Sequence, residues 1–348
     1  MTGLASKYKR GLVVGKFCPL HKGHELLINR AREASEELLV VSYTKPEFPG
    51  LDPARREGWL RAQFPQAHIV VLDDARLAAL CAARGVPART LPHNDDDGND
   101  HRHFMGWLCW TVLDLPVDAV FTSEDYGPGF AQVLERHYAR APVAHVSVDQ
   151  ARTLVPVSGT LVRQDPQAHG AFLSPLVRAS LVTRVCVLGG ESSGKTTLAA
   201  ALAAHFGCPW VAEYGRELWE SQDGILVYDD LLKIGREQLR REAQAAVQAQ
   251  RWLFCDTSPL TTYFYCVEMF GKAEAELLDL AGHAYDLVVL CAPDFPFIQD
   301  GTRRDDSFRL RQHAWYQAEL ARRGIAFVNV SGTVADRVEQ VAQVLAAA

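Results

Sequence analysis

The sequence lacks several features that would place it in other protein classes. No long run of lysine or arginine occurs in its 348 residues, and the formal net charge of -6 disfavours nucleic acid as the main partner. No signal peptide and no apolar span of about 18 residues is visible. We therefore expect a cytoplasmic protein without a membrane partner. Internal repeats and low-complexity tracts are also missing.

Cysteine pairs of the C-x-x-C type are absent as well. The eight cysteines are scattered, and Cys186, Cys255 and Cys291 each lie in an apolar, strand-like run. This distribution argues against a zinc or disulfide framework and predicts reduced, buried thiols. The length predicts two domains, each large enough to bury its own core.

A glycine-rich segment near the middle of the chain joins an apolar strand pattern to an alanine-rich helical pattern. It spans residues 181–198 (LVTRVCVLGGESSGKTTL) and matches G-x-x-x-x-G-K-[ST]. Backbone N–H groups of such a loop surround a polyphosphate, the lysine adds a positive charge, and the threonine hydroxyl binds Mg²⁺. The predicted residues are Lys195 for catalysis and, for nucleotide binding, Gly189, Gly190, Glu191, Ser192, Ser193, Gly194, Thr196 and Thr197.

Segments after this loop complete the predicted second site. Glu213 ends a short strand, where its carboxylate can accept a hydroxyl proton or hold sugar hydroxyls; helix capping is the alternative. Asp256 ends an apolar strand, as expected of a carboxylate that orients Mg²⁺. Tyr214 and Arg216 are assigned to substrate binding.

A later glycine-containing segment, residues 293–311, is interpreted as a lid whose arginines close on ATP phosphates. A salt-bridged surface is the alternative. The arginines of this segment are Arg303, Arg304, Arg309 and Arg311, of which the first two are predicted nucleotide ligands.

The first half of the chain has two histidines where a predicted strand meets a predicted helix. Residues 11–17 (GLVVGKF) are expected to form the buried strand, and H-K-G-H follows at residues 21–24. Imidazoles at this position can contact negative charge that develops on the α-phosphate of a nucleotide. Near the end of this half, residues 157–163 (VSGTLVR) supply capping hydroxyls and an arginine that can neutralise a leaving pyrophosphate.

These two segments, G-K-F-C-P-L-H-K-G-H and V-S-G-T-L-V-R, resemble the signatures of the nucleotidyltransferase superfamily. The resemblance implies adenylyl or cytidylyl transfer on a Rossmann-like sheet, without a covalent enzyme intermediate. The predicted catalytic residues are Lys16, His21, His24 and Arg163. The predicted nucleotide-binding residues are Gly15, Phe17, Gly23, Ser158 and Thr160.

The order of motifs along the whole chain is similar to one family. The two signatures are followed by G-G-E-S-S-G-K-T, E-Y-G-R-E, F-C-D-T and Q-D-G-T-R, as in the bifunctional nicotinamide-mononucleotide adenylyltransferase and ribosylnicotinamide kinase family of the NadR type. The resemblance implies an α/β protein with two doubly wound parallel-sheet domains. A Rossmann-like nucleotidyltransferase domain is expected at residues 1–172 and a P-loop kinase domain at residues 173–348.

The resemblance also implies the reactions. The second domain would phosphorylate nicotinamide riboside with ATP, and the first would join the mononucleotide (NMN) to AMP from a second ATP, giving NAD and pyrophosphate, with Mg²⁺ at the phosphates. Some family members are repressors with an N-terminal helix-turn-helix. Only ten residues precede the first predicted strand here, so DNA-binding repression is not expected.

The sequence motifs do not identify which residues contact the pyridine ring. Trp107 and Trp110 lie in a predicted aromatic helix, and either could stack on a cationic pyridinium ring or simply pack in the core. The acidic segment at residues 94–100 is interpreted as a solvated loop, with solvated side chains at His101 and His103 nearby.

Two alternative functions stay open. One keeps both chemistries but uses another nucleoside or another phosphorylated acceptor. The other is a regulator that senses ATP and NAD and acts through a protein partner. The sequence also leaves a homo-oligomer open.

Overall fold

The computed structural model describes residues 8–138, 142–297 and 305–347. The chain divides into two compact units, Met1–Val177 and Arg178–Ala348, and each contains its own five-stranded sheet. The predicted boundary between residues 172 and 173 falls shortly before this division. The segment around it, interpreted from sequence as a link, holds a short helix, Pro175–Ser180.

Unit 1 is a parallel sheet with helical crossover connections. Its strands are β1 (Tyr8–Gly15), β2 (Ser35–Tyr43), β3 (His68–Leu72), β4 (Ala119–Thr122) and β5 (Ala144–Ser147), in the order β3-β2-β1-β4-β5. Its helices are α1 (Lys22–Ala34), α2 (Pro53–Gln63), α3 (Asp74–Arg84), α4 (Gly98–Trp107), α5 (Gly127–His137) and α6 (Gly159–Gln164), and α7 (Pro175–Ser180) runs across the division between the two units. A π-helical turn (Leu108–Val112) continues α4, and a 3₁₀ turn (Gly170–Phe172) precedes α7.

Unit 2 is also a parallel sheet covered by helices. Its strands are β6 (Thr183–Gly189), β7 (Trp210–Val211), β8 (Trp252–Asp256), β9 (Leu287–Cys291) and β10 (Val328–Val330), in the order β10-β9-β6-β8-β7. Its helices are α8 (Lys195–Phe206), α9 (Tyr214–Ser221), α10 (Tyr228–Gln248), α11 (Pro259–Phe270), α12 (Ala275–Leu280), α13 (Asp306–Arg322) and α14 (Val334–Ala347).

In both units the first strand lies in the middle of the sheet, between strands that the chain adds on opposite sides. β1 pairs in parallel with β2 and β4, and β6 pairs in parallel with β8 and β9. The strand order reverses beside this central strand, and the crevice outside its carboxyl end is where open α/β sheets bind ligands. The predicted α/β class with two doubly wound sheets is confirmed.

The central strands are apolar because both of their faces are covered. Leu12, Val13, Val185 and Val187 are completely buried, as expected for parallel strands between two layers of helices. All eight cysteines are free, and only Cys208 is not buried. In the described part of the chain, no helix has the length and apolarity needed to cross a membrane.

Two local expectations for unit 1 were wrong. β1 ends at Gly15 rather than Phe17, since Phe17 turns the chain with a φ of 49°. His101 is not solvated: its Nδ1 lies 2.8 Å from the Tyr43 hydroxyl and its Nε2 lies 3.0 Å from the His93 carbonyl oxygen. Of the acidic segment, residues 94–97 form a turn that lies largely at the surface, and residues 98–100 start α4, which Asp97 caps.

Candidate functional site

In unit 1, the turn between β1 and α1 brings the two predicted histidines together. His21 is the N-cap of α1, and its Nδ1 accepts a hydrogen bond from the His24 backbone N–H at 3.3 Å. The two rings are stacked, with centroids 3.6 Å apart. Because Nδ1 of His21 accepts, the neutral ring carries its proton on Nε2, where it is available to another acceptor.

Both imidazoles are held in the neutral form. Burial and the positive charge of Arg152 lower the pKa of His21 to about 4. Burial, with His21 and Arg152 nearby, holds the pKa of His24 well below its usual range. These rings are therefore neutral hydrogen-bond donors near pH 7, and the fixed positive charge near them comes from arginines, of which Arg152 was not identified from the sequence.

The second signature lies against this turn. Arg163 donates from Nη1 to the Cys18 carbonyl oxygen at 2.6 Å and from Nη2 to the Thr160 hydroxyl at 3.0 Å. Ser158 caps α6 by accepting from the Leu161 N–H, and a Cβ at Gly159 would lie 3.2 Å from the Cys18 carbonyl oxygen. The structure therefore joins the two sequence signatures of unit 1 through direct contacts of Arg163.

Three further predicted residues shape the turn. The ring of Phe17 packs edge-on against the His24 ring, with centroids 5.0 Å apart. A Cβ at Gly15 would lie 2.9 Å from the Phe17 ring, and one at Gly23 would lie 3.1 Å from the His21 ring. Lys16 is exposed, with its Nζ 6.0 Å from the Phe48 ring centroid.

The two tryptophans have different surroundings. Trp107 is only 6% exposed and belongs to the core, with the Arg89 guanidinium 4.5 Å above its ring. Trp110 is 45% exposed and lies against Tyr138. A contact with a pyridine ring stays a prediction for both.

In unit 2, the phosphate loop follows β6 and leads into α8. Gly189, Ser192 and Gly194 have positive φ values of 152°, 57° and 79°. The Gly190 carbonyl oxygen accepts from the Ser193 hydroxyl at 2.8 Å and from Lys195 Nζ at 3.0 Å. Alternating backbone conformations of this kind turn successive N–H groups toward one concavity, which is suited to an anion.

Thr196 and Asp256 meet beside this loop. The Thr196 hydroxyl donates to Asp256 Oδ2 at 2.6 Å. Asp256 is 1% exposed, burial raises the pKa of its carboxyl, and its Oδ1 accepts no hydrogen bond among the described residues. A buried carboxylate with an unpaired oxygen, beside a solvent-accessible threonine hydroxyl, fits Mg²⁺, which takes one or two protein oxygens together with phosphate oxygens. No cluster of three metal-ligand side chains occurs in the described ranges.

Glu213 lies at the N-terminus of α9 but does not cap it with its side chain. Burial raises the pKa of its carboxyl, while Lys195 acts in the opposite direction and Asp256 and Glu191 add to the rise. The carboxylate of Glu191 accepts from the Tyr265 hydroxyl at 2.9 Å. The charge of Lys195 thus acts on the carboxylates of both Glu213 and Asp256. Tyr265 was not identified from the sequence.

The remaining predicted residues of unit 2 have different surroundings, and two of them lie outside the described ranges. Arg216 and Thr197 are exposed, and the Arg241 guanidinium lies 4.4 Å above the Tyr214 ring. Arg303 and Arg304 fall outside the described residues. Arg309 does not belong to a loop: it is 5% exposed in the first turn of α13 and pairs with Asp306.

Two buried polar residues on α13 and α14 form hydrogen bonds with backbone groups of the phosphate loop. Gln312 on α13 accepts the Glu191 N–H at 2.8 Å, and Arg337 on α14 donates to the Ser193 carbonyl oxygen at 2.7 Å. Sequence reasoning missed both. The available signal was a polar residue at a buried position of an amphipathic helix, since Arg337, Val341 and Leu345 follow one another at four-residue spacing and all are buried.

This chain is similar to several known proteins. A family model described as an AAA domain matches residues 184–337, in unit 2. The trifunctional NAD biosynthesis/regulator protein NadR of Salmonella typhimurium is 29% identical over 303 residues, which cover 84% of this chain and 71% of that protein. NadR of Escherichia coli is 29% identical over 307 residues with the same coverage. The chain is homologous to NadR.

Solved NadR structures have the same fold. One, in complex with NAD and AMP-PNP, superimposes with a TM-score of 0.66 at 20% identity and covers 98% of both chains. Another, in complex with NR, has a TM-score of 0.64 at 23% identity and covers 98% of this chain and 97% of its own. At this identity the superposition supports the fold, and it extends across both units.

Proposed function

We propose that this protein is a bifunctional enzyme of NAD salvage. Unit 2 phosphorylates nicotinamide riboside with ATP, and unit 1 transfers an adenylyl group from ATP to the resulting NMN. The observation that supports this proposal is a pair of strand-to-helix turns of different chemistry, each suited to a phosphate, one on each sheet of a chain similar to NadR across 84% of its length. One site has neutral imidazoles with Arg163, and the other has Lys195 with Asp256.

In unit 1, an oxygen of the NMN phosphate attacks the α-phosphorus of ATP. The new phosphorus–oxygen bond forms as the bond to the β-phosphate breaks, and pyrophosphate leaves with the electron pair. The attacking group is already an anion, so no protein nucleophile is needed, and positioning and charge stabilisation provide the catalysis. His21 and His24 donate to the α-phosphate, while Lys16 and Arg163 neutralise the pyrophosphate. Gly15, Phe17, Gly23, Ser158 and Thr160 shape the nucleotide site.

In unit 2, the riboside hydroxyl attacks the γ-phosphorus of ATP, and ADP leaves. Glu213 takes the hydroxyl proton; the raised pKa of its partly buried carboxyl makes it a better proton acceptor than an exposed glutamate. Lys195 and the loop amides hold the phosphates. Thr196 and Asp256 would hold Mg²⁺, which would neutralise charge between the β- and γ-phosphates.

The proposal is tested by two reciprocal variants in the full chain. The wild-type protein, given nicotinamide riboside, ATP and Mg²⁺, should form NMN and then NAD, as followed by chromatography. The Lys195→Ala protein should lose riboside phosphorylation by about 100-fold or more while it still converts NMN to NAD. The His24→Ala protein should accumulate NMN, because only its adenylyl transfer is slowed.

The outcomes separate the alternatives. Loss of both activities in either folded variant contradicts two independent sites. Faster phosphorylation of another nucleoside in a substrate panel would keep the chemistry but replace the substrate. A purified protein with no sustained turnover on any of these substrates would favour the regulator that senses nucleotides.

A further inference from the structure

Arg337 is a fully buried arginine that the chemistry above leaves unused. It lies on α14 and is 0% exposed. Buried arginines are rare unless their donors are matched by acceptors, because removing a guanidinium from water is costly. The acceptors around Arg337 therefore show what the residue holds in place.

The guanidinium joins three segments at the carboxyl edge of the unit 2 sheet. Nη1 donates to the Ser193 carbonyl oxygen at 2.7 Å, and Nε donates to the Gly332 carbonyl oxygen at 3.1 Å. Nη2 donates to the Ala292 carbonyl oxygen at 3.1 Å and forms an ion pair with Asp294.

An aromatic ring completes this environment. The ring of Phe295 packs 4.2 Å from the Arg337 guanidinium. A Cβ at Gly194 would lie 2.8 Å from the same ring, so Phe295 lies directly against the phosphate loop. Arg337 and Phe295 thus contact neighbouring residues of the loop from the side of the segment after β9.

The contact with Ser193 has a geometric consequence for the loop. The Ser193 carbonyl and the Gly194 N–H belong to one planar trans peptide, in which the two groups point in opposite directions. Holding this carbonyl on Arg337 therefore fixes the direction of the Gly194 N–H. With Gly194 at a φ of 79°, the peptide has no regular helical or strand partner to fix it otherwise.

We propose that Arg337 is a positioning residue for ATP in unit 2: by holding the Ser193 carbonyl, it aims the Gly194 N–H at the triphosphate before nucleotide binds. Asp294 orients the guanidinium. The inference rests on the proposed kinase function of unit 2. Its ligand class is the polyphosphate of a nucleoside triphosphate.

The test is the Arg337→Lys variant of the full chain. A lysine keeps a positive charge beside Asp294 but cannot reach all of the carbonyl oxygens with one nitrogen. We expect the Kd of unit 2 for ATP and the kinase KM for ATP to rise about tenfold, as for one lost charge-assisted hydrogen bond, with kcat within about threefold of wild type. Calorimetric titration measures the Kd, and the Lys195→Ala protein supplies the reference titration for ATP bound in unit 1.

Two controls make the test specific. Adenylyl transfer by the same variant should be unchanged. Arg323→Lys is the matched substitution: Arg323 also pairs with a carboxylate, Glu319, and donates to a backbone carbonyl, that of Ala281. It should leave ATP affinity unchanged.

Asp294→Asn provides a second variant with a smaller change of charge. It should weaken ATP binding in the same direction by about threefold, and its effect should not add to that of Arg337→Lys. Unchanged ATP affinity in both variants, or in Asp294→Asn alone if Arg337→Lys does not fold, would overturn the proposal. A lower kcat at unchanged KM would also overturn it, since that result reports a smaller folded fraction. If wild-type protein binds ATP but does not phosphorylate the riboside, the proposed function fails while the binding test of Arg337 still applies.

Discussion

A buried glutamate on α10 illustrates how one side chain can make the stability of a unit depend on pH. Glu242 is 0% exposed. It accepts from the Tyr285 hydroxyl at 3.0 Å and from Gln238 Nε2 at 3.3 Å, but its Oε2 has no hydrogen-bond partner among the described residues. Burial raises the pKa of this carboxyl to about 7 from an ordinary value of 4.5. The folded state therefore binds the proton more tightly than the unfolded state.

This difference predicts the sign of a pH effect on unit 2. The stabilisation of unit 2 that comes from the protonated Glu242 carboxyl is fully present below about pH 4.5 and is lost as pH rises through about 7. Glu242→Gln should remove this dependence and make unit 2 about 2 kcal/mol more stable than wild type near pH 8, while the two proteins should be similar near pH 5. Chemical denaturation at about pH 5, 6.5 and 8 checks this, with the unit 2 transition assigned by limited proteolysis.

Glu237→Gln, on the same helix, is the matched control. Bonds from Arg240 and Arg241 lower the pKa of Glu237 to about 2, so this carboxyl stays ionised throughout the range tested. Its substitution should change stability by the same amount at each pH. If the free energy of unfolding of wild-type unit 2 did not change between about pH 5 and 8, the pKa of Glu242 would not be raised and the prediction would be wrong.

At the scale of elements, the sequence predicts strands and turns best where local residue chemistry alone determines the backbone conformation. The phosphate loop needs glycines at Gly189 and Gly194, and both have the positive φ that favours glycine. The central strands were found because they are continuously apolar. The turn at His21 is predictable because an apolar strand pattern, the H-K-G-H motif and an amphipathic helix pattern follow in order.

Other elements were missed because tertiary contacts define them. β5 is only half-buried and carries no strong strand pattern, and it forms by pairing with β4. The 21-residue helix α10 is rich in charged residues and is not predicted from the sequence, although its buried residues pack against β8 and α11. Gln312 and Arg337 could not be assigned to the phosphate loop because each lies more than a hundred residues along the chain from its partner there.

Two glycines in helices of unit 1 provide an element-scale test. Gly58 lies at an exposed position of α2, and a Cβ there would meet nothing within 4 Å. Gly58→Ala should stabilise unit 1 by about 0.5–1 kcal/mol, because alanine loses less conformational entropy than glycine on helix formation. Gly106 lies in α4, where a Cβ would overlap the His137 ring. Gly106→Ala should destabilise unit 1 by about 1–3 kcal/mol.

Hydrogen exchange of peptides from β1, β2 and α4 measures both changes on the same unit. The paired variants differ in the space around the new methyl group, while the residue change itself is identical. If Gly58→Ala and Gly106→Ala changed the stability of unit 1 equally, the overlap with His137 would be relieved at no cost in free energy, which would contradict this prediction.

At the scale of the whole molecule, the two units share one strand-turn-helix arrangement but carry different side chains in it. A parallel strand ends at a glycine-containing turn, and a helix begins directly after this turn. Unit 1 adds imidazoles and an arginine, which suit attack at an α-phosphate by an existing anion. Unit 2 adds an ammonium group and buried carboxylates, which suit transfer of a γ-phosphate to a hydroxyl that must lose a proton.

Because each unit has its own sheet and core, ligands of the two reactions should protect different segments of the chain. NAD should slow hydrogen exchange in residues 15–24 and 157–163, and nicotinamide riboside should slow it in residues 213–216. At ligand concentrations about 100 times the Kd, protection in the bound unit should reach about 100-fold. The Lys195→Ala protein should keep the NAD pattern, since that residue belongs to unit 2. Protection by the riboside at residues 21–24, with no change at residues 213–216, would place the kinase acceptor in unit 1 and contradict the proposal.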